Sequence, residues 1–145
     1  MIRAVLLAVD DSRGSMAAAR AAVDLAAVPG GRLRVVNVLI DGALTEALGR
    51  AAGRPGVPGR RGLAATTLLR HVEELARVAG VAAETAQLSG EPASEILRDA
   101  ATWRPDVIVV GVSSRDGVGT PYIGAQTRHL LEFSEWPVLV VPARS

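Results

Sequence analysis

The sequence of 145 residues contains no cysteine and no lysine, and only 3% of it is aromatic. Without cysteine there is no disulfide framework, no thiolate nucleophile and no cysteine-based zinc site, which fits a reducing cytoplasm. Without lysine there is no Walker A phosphate loop, because that loop ends in Gly-Lys-Ser/Thr. With so few aromatic side chains, the chain also lacks the stacking platforms that single-stranded nucleic acids require.

The charges are nearly balanced. Sixteen arginines face 15 acidic residues, for a net charge of +1. No overall field draws such a chain to nucleic acid or to an anionic membrane, so we expect neither as a partner. The apolar run near the N-terminus is only about six residues long, too short for a signal sequence or a membrane span. We therefore expect a soluble cytoplasmic protein, and the arginine, alanine and glycine usage hints at a high-GC bacterial genome.

Aliphatic runs alternate with helical patterns along the chain. The length and the Ala-, Val- and Leu-rich 49% hydrophobic content favour one α/β domain spanning residues 1–145. Strands are predicted at residues 4–9, 33–40, 81–88, 106–110 and 138–141, and helices at residues 16–27, 63–78, 93–103 and 126–133. Right-handed crossovers then give a Rossmann-like three-layer sandwich around a doubly wound five-stranded parallel sheet. With two strands on each side of the first, the strand order is 3-2-1-4-5.

The order of strands reverses between the first and the fourth strand, where Asp10 and Gly111 are predicted to end them. Gly111 is followed by a polar loop from residue 112 to residue 122, and the next helix opens near Gly124. Strand, glycine-bearing loop and helix start together can cradle an anion with backbone N–H groups. The dinucleotide pattern GxGxxG fails here, because Gly117 and Gly119 are followed by threonine, proline and tyrosine.

Several polar residues allow two interpretations. Asp10 can face the ligand crevice or help to cap the helix at residues 16–27, for which Ser12 and Ser15 are also candidate caps. Neither histidine has a second histidine or an acidic residue at the spacing of a metal site, so both are predicted to lie at the surface and not to act as a ligand or a base. Residues 41–62 are predicted to begin as a partial helix and continue as a mobile loop, whose arginines can contact phosphate or remain solvated: Arg50, Arg54, Arg60 and Arg61.

The order and spacing of five segments resemble single-domain universal stress proteins over nearly the whole chain. The segments are VLLAVDDS, RVVNVLID, GEPASEILRDA, PDVIVVG and WPVLVVP. The resemblance implies a stress-response protein that binds ATP or another adenine nucleotide, with Mg²⁺ only beside a triphosphate.

The nucleotide motif of that family is only partly present. ATP-binding members carry Gly, two residues, Gly, nine residues, and Gly followed by Ser or Thr, and the second and fourth positions here are Ser114 and Ala125. The resemblance places the ribose contact on Asp10 and the adenine contact on Val38, with Arg115 and Gln126 among the residues able to compensate at the phosphates. The predicted nucleotide-binding set is Asp10, Val38, Gly111, Ser114, Arg115, Gly124, Ala125 and Gln126.

Two functions remain open, and catalysis is not expected. The first is a regulatory dimer that responds to an adenine nucleotide; the second is a stress-associated interaction dimer without nucleotide, acting on an unidentified protein partner. No GxSxG elbow is present, and there is no paired-carboxylate motif beyond Asp10 and Asp11, whose side chains would point to opposite faces of an extended strand. Slow incidental ATP hydrolysis stays open. The strand from Val138 to Val141 is predicted to lie at an edge of the sheet. Because it is aliphatic and uncharged, it is also predicted to form the contact of a homodimer.

Overall fold

Five parallel strands form one sheet at the centre of the molecule. The computed structural model describes residues 1–10, 12, 14–39, 60–112 and 124–143. The sheet has the order β3-β2-β1-β4-β5, so the predicted order and its reversal between β1 and β4 are confirmed. The strands are β1 (Ala4–Ala8), β2 (Arg32–Leu39), β3 (Ala82–Ser89), β4 (Val107–Val112) and β5 (Val138–Pro142).

The burial of each strand follows its composition. Val5, Leu6 and Leu7 of β1 are completely buried, as the central strand of a parallel sheet covered on both faces requires. By contrast, the polar strand β3, whose sequence is AAETAQLS, lies at one edge and is largely exposed. The more apolar strand thus lies at the centre of the sheet and the more polar strand at its edge.

Helices cover both faces of the sheet. They are α1 (Gly14–Ala26), α2 (Arg60–Val78), α3 (Pro92–Trp103) and α4 (Ala125–Phe133). Side chains of α1 and α2 form one core cluster with alternate residues of the central strands, and α3 and α4 form the other. The three-layer arrangement is therefore as predicted, and none of the described helices is both long and apolar enough to cross a membrane.

Three predicted boundaries were wrong by two residues or more. β4 continues through Gly111 and Val112, where a loop was expected, because these residues pair with Val141 and Pro142 of β5. Helix α1 begins at Gly14 rather than at Met16. Helix α2 begins at Arg60 in the segment predicted to be a loop, whereas Arg50 and Arg54 lie outside the described residues.

Asp106 joins the central strands at the edge of the sheet where they begin. Its Oδ2 accepts hydrogen bonds from the backbone N–H groups of Ala4 (2.8 Å) and Arg3 (2.9 Å). These two bonds hold the pKa of Asp106 below its ordinary value, because they stabilise the charged carboxylate. The contact fixes the register of β1 against β4 at the end opposite to the predicted ligand crevice.

A polar network attaches α3 to the sheet. The guanidinium of Arg34 on β2 donates to both carboxylate oxygens of Asp99 on α3, at 2.7 and 2.8 Å. That bidentate bond, together with the charges of Asp99 and Glu84, raises the pKa of Arg34. Trp103, predicted to pack at the helix end, lies against the second core cluster, and its Nε1 donates to Glu84.

Arg104 ends α3 in a left-handed conformation, with φ 58° and its N–H donating to the carbonyl of Ala100. A side chain in this region costs about 1 kcal/mol or more, and glycine relieves that cost. We therefore expect Arg104→Gly to raise the free energy of unfolding by about 1 kcal/mol in urea titration. The matched change Ala101→Gly, at an exposed position inside α3, should lower it by about 1 kcal/mol. Equal destabilisation by both changes would contradict this account of the helix end.

Candidate functional site

The start of α1 lies directly against the end of β4. A Cβ atom added to Gly111 would sit 2.4 Å from the carbonyl carbon and oxygen of Gly14, and one added to Gly14 would sit 2.4 Å from the carbonyl oxygen of Val112. Real Cβ atoms do not approach backbone so closely, so both glycines permit this contact. Gly111 therefore has a packing role in addition to the phosphate-motif position assigned from the resemblance.

Asp10 follows β1 and is held by the turn that leads into α1. Its Oδ1 accepts hydrogen bonds from the backbone N–H of Ser12 (2.8 Å) and from the hydroxyl of Ser15 (2.9 Å). Its own N–H donates to Ser15 Oγ at 2.8 Å. The side chain is exposed, and no described residue donates a hydrogen bond to Oδ2. Asp10 thus presents one carboxylate oxygen at the carboxyl edge of the sheet while the other is fixed.

Ser15 was a candidate cap of the first helix, but it does not cap α1. It is the second residue of the helix, it is 2% exposed, and its hydroxyl bonds Asp10 instead of a helical N–H. Nor does Asp10 act as a cap in the described contacts, since the backbone N–H that it accepts belongs to Ser12, before the helix.

Asn37 supports the same turn from the β2 side, a role that the sequence patterns did not reveal. Its Nδ2 donates to the carbonyl of Val9 at 2.8 Å, and the N–H of Val9 donates to the carbonyl of Val36 at 2.9 Å. Asn37 is 6% exposed, and within the described ranges its Oδ1 has no hydrogen-bond partner. A polar residue inside an apolar strand was the available signal. The predicted adenine contact, Val38, follows directly and packs partly against the second core cluster.

The start of α4 carries three of the predicted nucleotide contacts. Gly124 is the N-cap residue, with extended backbone (φ −68°, ψ 167°), and it supplies no side-chain hydrogen bond to the helix. Ala125 is the first helical residue and is exposed. Gln126, however, directs its Oε1 to the N–H of Ala93 at 3.3 Å, so this side chain joins α4 to the first turn of α3.

The structure thus brings Asp10 and Gly111 to one edge through Gly14 and Ser15, with Val38 following the supporting Asn37. The predicted contacts Ser114 and Arg115 lie outside the described residues. His71 is exposed, and the ring of His129 contacts that of Phe133 in a tilted arrangement with centroids 4.7 Å apart. Across the described ranges, no group of three or more His, Asp or Glu side chains could hold a metal ion.

This arrangement of fold and site can be compared with known proteins. Residues 1–142 match the model of the universal stress protein family. The chain belongs to that family. Among curated relatives, the universal stress protein YxiE of Bacillus subtilis is 31% identical over 152 residues, covering 97% of this chain and 99% of the relative.

Solved universal stress proteins and related structures share the fold at low sequence identity. Hypothetical protein MJ0577, the subject of a structure-based assignment of biochemical function, superposes with a TM-score of 0.80 at 16% identity, covering 100% of this chain and 99% of the other. A universal stress protein from Archaeoglobus fulgidus in complex with dAMP gives a TM-score of 0.71 at 22% identity, covering 97% and 99%. At these identities the likeness shows the fold.

Proposed function

We propose that this universal stress protein binds an adenine nucleotide in the crevice at the carboxyl ends of β1 and β4, and that it acts in the cytoplasm as a regulatory dimer of the stress response. The single observation that carries the proposal is Asp10, whose carboxylate stands at the reversal of strand order with Oδ1 fixed and Oδ2 available. Ligands of doubly wound sheets bind at this reversal, where an acidic residue can accept hydrogen bonds from the ribose hydroxyls.

Two neighbouring features extend the site from the ribose toward the base and the phosphates. Val38 follows Asn37, which is bonded to the carbonyl of Val9, so the end of β2 lies beside the turn that carries Asp10. Among the described residues no side chain caps the start of α4, and the backbone N–H groups and positive dipole end of a helix start favour an anion. That a similar protein was solved with dAMP supports an adenine nucleotide as the ligand.

The phosphate end of the site favours a small phosphate group. Ala125 offers no hydroxyl at the first position of α4, where the family motif has Ser or Thr, and Gln126 is engaged with Ala93. Losing a hydroxyl donor to a charged acceptor costs roughly 1.5 to 3 kcal/mol. We therefore propose that AMP binds at least as tightly as ATP, that Mg²⁺ enters only with a triphosphate, and that the protein binds its nucleotide without a catalytic role.

The ligand can be sought directly in the purified protein. Absorbance and mass spectrometry of the supernatant after denaturation would reveal a co-purified adenine nucleotide. Thermal-shift titration with ATP, ADP, AMP and cyclic AMP would follow on nucleotide-free protein. We expect either a bound nucleotide or a rise in Tm with at least one of the four, because a ligand that binds only the native state stabilises it. No bound nucleotide and no shift with any of them would refute the proposal.

An interaction dimer without nucleotide is the second candidate, and exposed apolar side chains favour it. Leu131 and Phe133 at the end of α4 are 43% and 61% exposed, and Leu139 on β5 is 39% exposed. Several large apolar side chains exposed in one part of the chain can mark a protein contact. Under this alternative the dimer persists while all four nucleotides leave Tm unchanged.

The dimer that we propose forms through β5, the strand at one edge of the sheet. Because Ile108 donates to the carbonyl of Pro137, alternation along a parallel ladder directs the backbone groups of Val138 and Val140 to the open side. Antiparallel pairing with a second copy about a two-fold axis would satisfy these groups. Pro137 precedes the strand and Pro142 ends it, which keeps the paired segment short.

Leu139→Glu is expected to weaken this dimer more than about tenfold, because pairing would remove the new carboxylate from water beside the partner chain. Sedimentation equilibrium measures the change. Val78→Glu is the matched control, because Val78 is 74% exposed at the end of α2 and belongs to neither β5 nor its neighbours. A parent that is monomeric at micromolar concentration, or a Leu139→Glu dimer as tight as the control, would exclude the β5 interface.

A further inference from the structure

Ser15 combines burial with a direct bond to the proposed ribose contact. It is 2% exposed, and Asn37 is the other buried polar residue in the part of the chain that the structure describes. Its Oγ accepts the N–H of Asp10 and donates to Oδ1 of the same residue. Because Ser15 is almost wholly buried, any effect on a ligand in the crevice passes through Asp10.

We propose that Ser15 is a positioning residue that orients the Asp10 carboxylate, and that it thereby sets the preference of the crevice for nucleosides with sugar hydroxyls. This inference rests on the proposed function. It names the part of the ligand that the site distinguishes, the sugar diol, and assigns the discrimination to a residue outside the predicted nucleotide-binding set.

The direction of the hydrogen bonds makes the orientation specific. A serine hydroxyl has one proton, and here the Asp10 N–H occupies a lone pair of Oγ while the proton goes to Oδ1. Oδ1 also accepts from the N–H of Ser12, so two donors fix this oxygen. Oδ2 is then the oxygen left to accept a hydrogen bond from a hydroxyl of the ligand. Its position is already fixed before the ligand binds.

The backbone on which this carboxylate stands is fixed as well. Val9 is held on β2 by its bond to the carbonyl of Val36 and by the amide of Asn37. On the other side, Ser15 is held by its N–H bond to the carbonyl of Ser12 at 3.2 Å and by the close seat of Gly14 on β4. Removing the hydroxyl of Ser15 therefore takes one of the two donors from Oδ1 and the acceptor from the Asp10 N–H, which loosens the Asp10 side chain. The bonds of Val9 and the seat of Gly14 on β4 do not involve that hydroxyl.

The test compares adenosine with 2′,3′-dideoxyadenosine by isothermal titration calorimetry. The parent is expected to prefer adenosine. In Ser15→Ala this preference should fall about three- to tenfold, because the Asp10 side chain must then be ordered when adenosine binds. The affinity for the dideoxynucleoside should stay the same. In an Asp10→Ala background, adding Ser15→Ala should change neither affinity.

Two variants separate the hydroxyl from packing. Ser15→Thr keeps the hydroxyl and should keep the preference, whereas Ser94→Ala, which removes a hydroxyl bonded to the Glu91 carboxylate at the start of α3, should leave both affinities unchanged. Circular dichroism and urea unfolding confirm that each variant is folded. The positioning role would be overturned if Ser15→Thr also lost the preference for adenosine. It would also be overturned if Ser15→Ala lost affinity for both nucleosides equally.

The parent titration distinguishes the two levels of the proposal. If the parent binds adenosine with a diol preference that Ser15→Ala leaves intact, the positioning role is refuted and the nucleotide site stands. If the parent binds neither nucleoside nor any adenine nucleotide, the proposed function fails and the role of Ser15 in recognition fails with it.

Discussion

Gly111→Ala is expected to lower the free energy of unfolding by about 3 kcal/mol, at the upper end of what overpacking a well-filled site costs. The added Cβ would meet the carbonyl of Gly14 at 2.4 Å and the backbone nitrogen of Ser15 at 2.9 Å. These are backbone atoms of α1, so no side chain can rotate away. Relief requires α1 to shift from β4, which would disturb the packing of Ala18 and Ala22 in the first core cluster.

Gly80→Ala is the control for this prediction. Gly80 has a positive φ of 72° after α2, and an added Cβ would have no heavy atom within 4 Å. That variant should cost only about 1 kcal/mol, from backbone conformation alone. Urea unfolding monitored by circular dichroism compares the two. If Gly111→Ala were no more costly than Gly80→Ala, the close seat of α1 on β4 would be wrong.

The strand order could be predicted because it depends on local patterns and on one chirality rule. The apolar runs at β1 and β4 indicated buried strands, and the weak alternation of β3 indicated an edge strand. Right-handed crossovers, with two strands placed on each side of the first, then gave the order. The end of α3 could also be predicted from neighbouring residues, since Arg104 and Pro105 stop the helix.

The contacts of the site could not be predicted, because they join residues that are distant in the sequence. Nothing in the sequence near Gly111 indicates that Gly14 will lie against it, and the predicted strand ended two residues before β4 does. Gln126 was expected to be among the residues able to compensate at the phosphates, whereas the packing of α4 on α3 brings it to Ala93. Ser15 fitted a capping pattern, yet its hydroxyl bonds a carboxylate.

Asp10→Ala is expected to weaken an adenine nucleotide about ten- to a hundredfold, the range for losing a hydrogen bond to a charged acceptor. The carboxylate is exposed, and its loss frees the Ser12 N–H and the Ser15 hydroxyl at the edge of the crevice rather than within an aliphatic cluster. Stability should therefore change less than affinity. Asp24→Ala is the matched control, because it removes the same charge from an exposed position on α1.

Isothermal titration calorimetry with AMP on the parent, Asp10→Ala and Asp24→Ala measures the central claim most directly. The account predicts that the parent and Asp24→Ala bind AMP with the same Kd and that the Kd of Asp10→Ala is about ten- to a hundredfold higher. A parent that binds AMP no more tightly than Asp10→Ala would contradict it, because the nucleotide would then lie elsewhere or not bind at all.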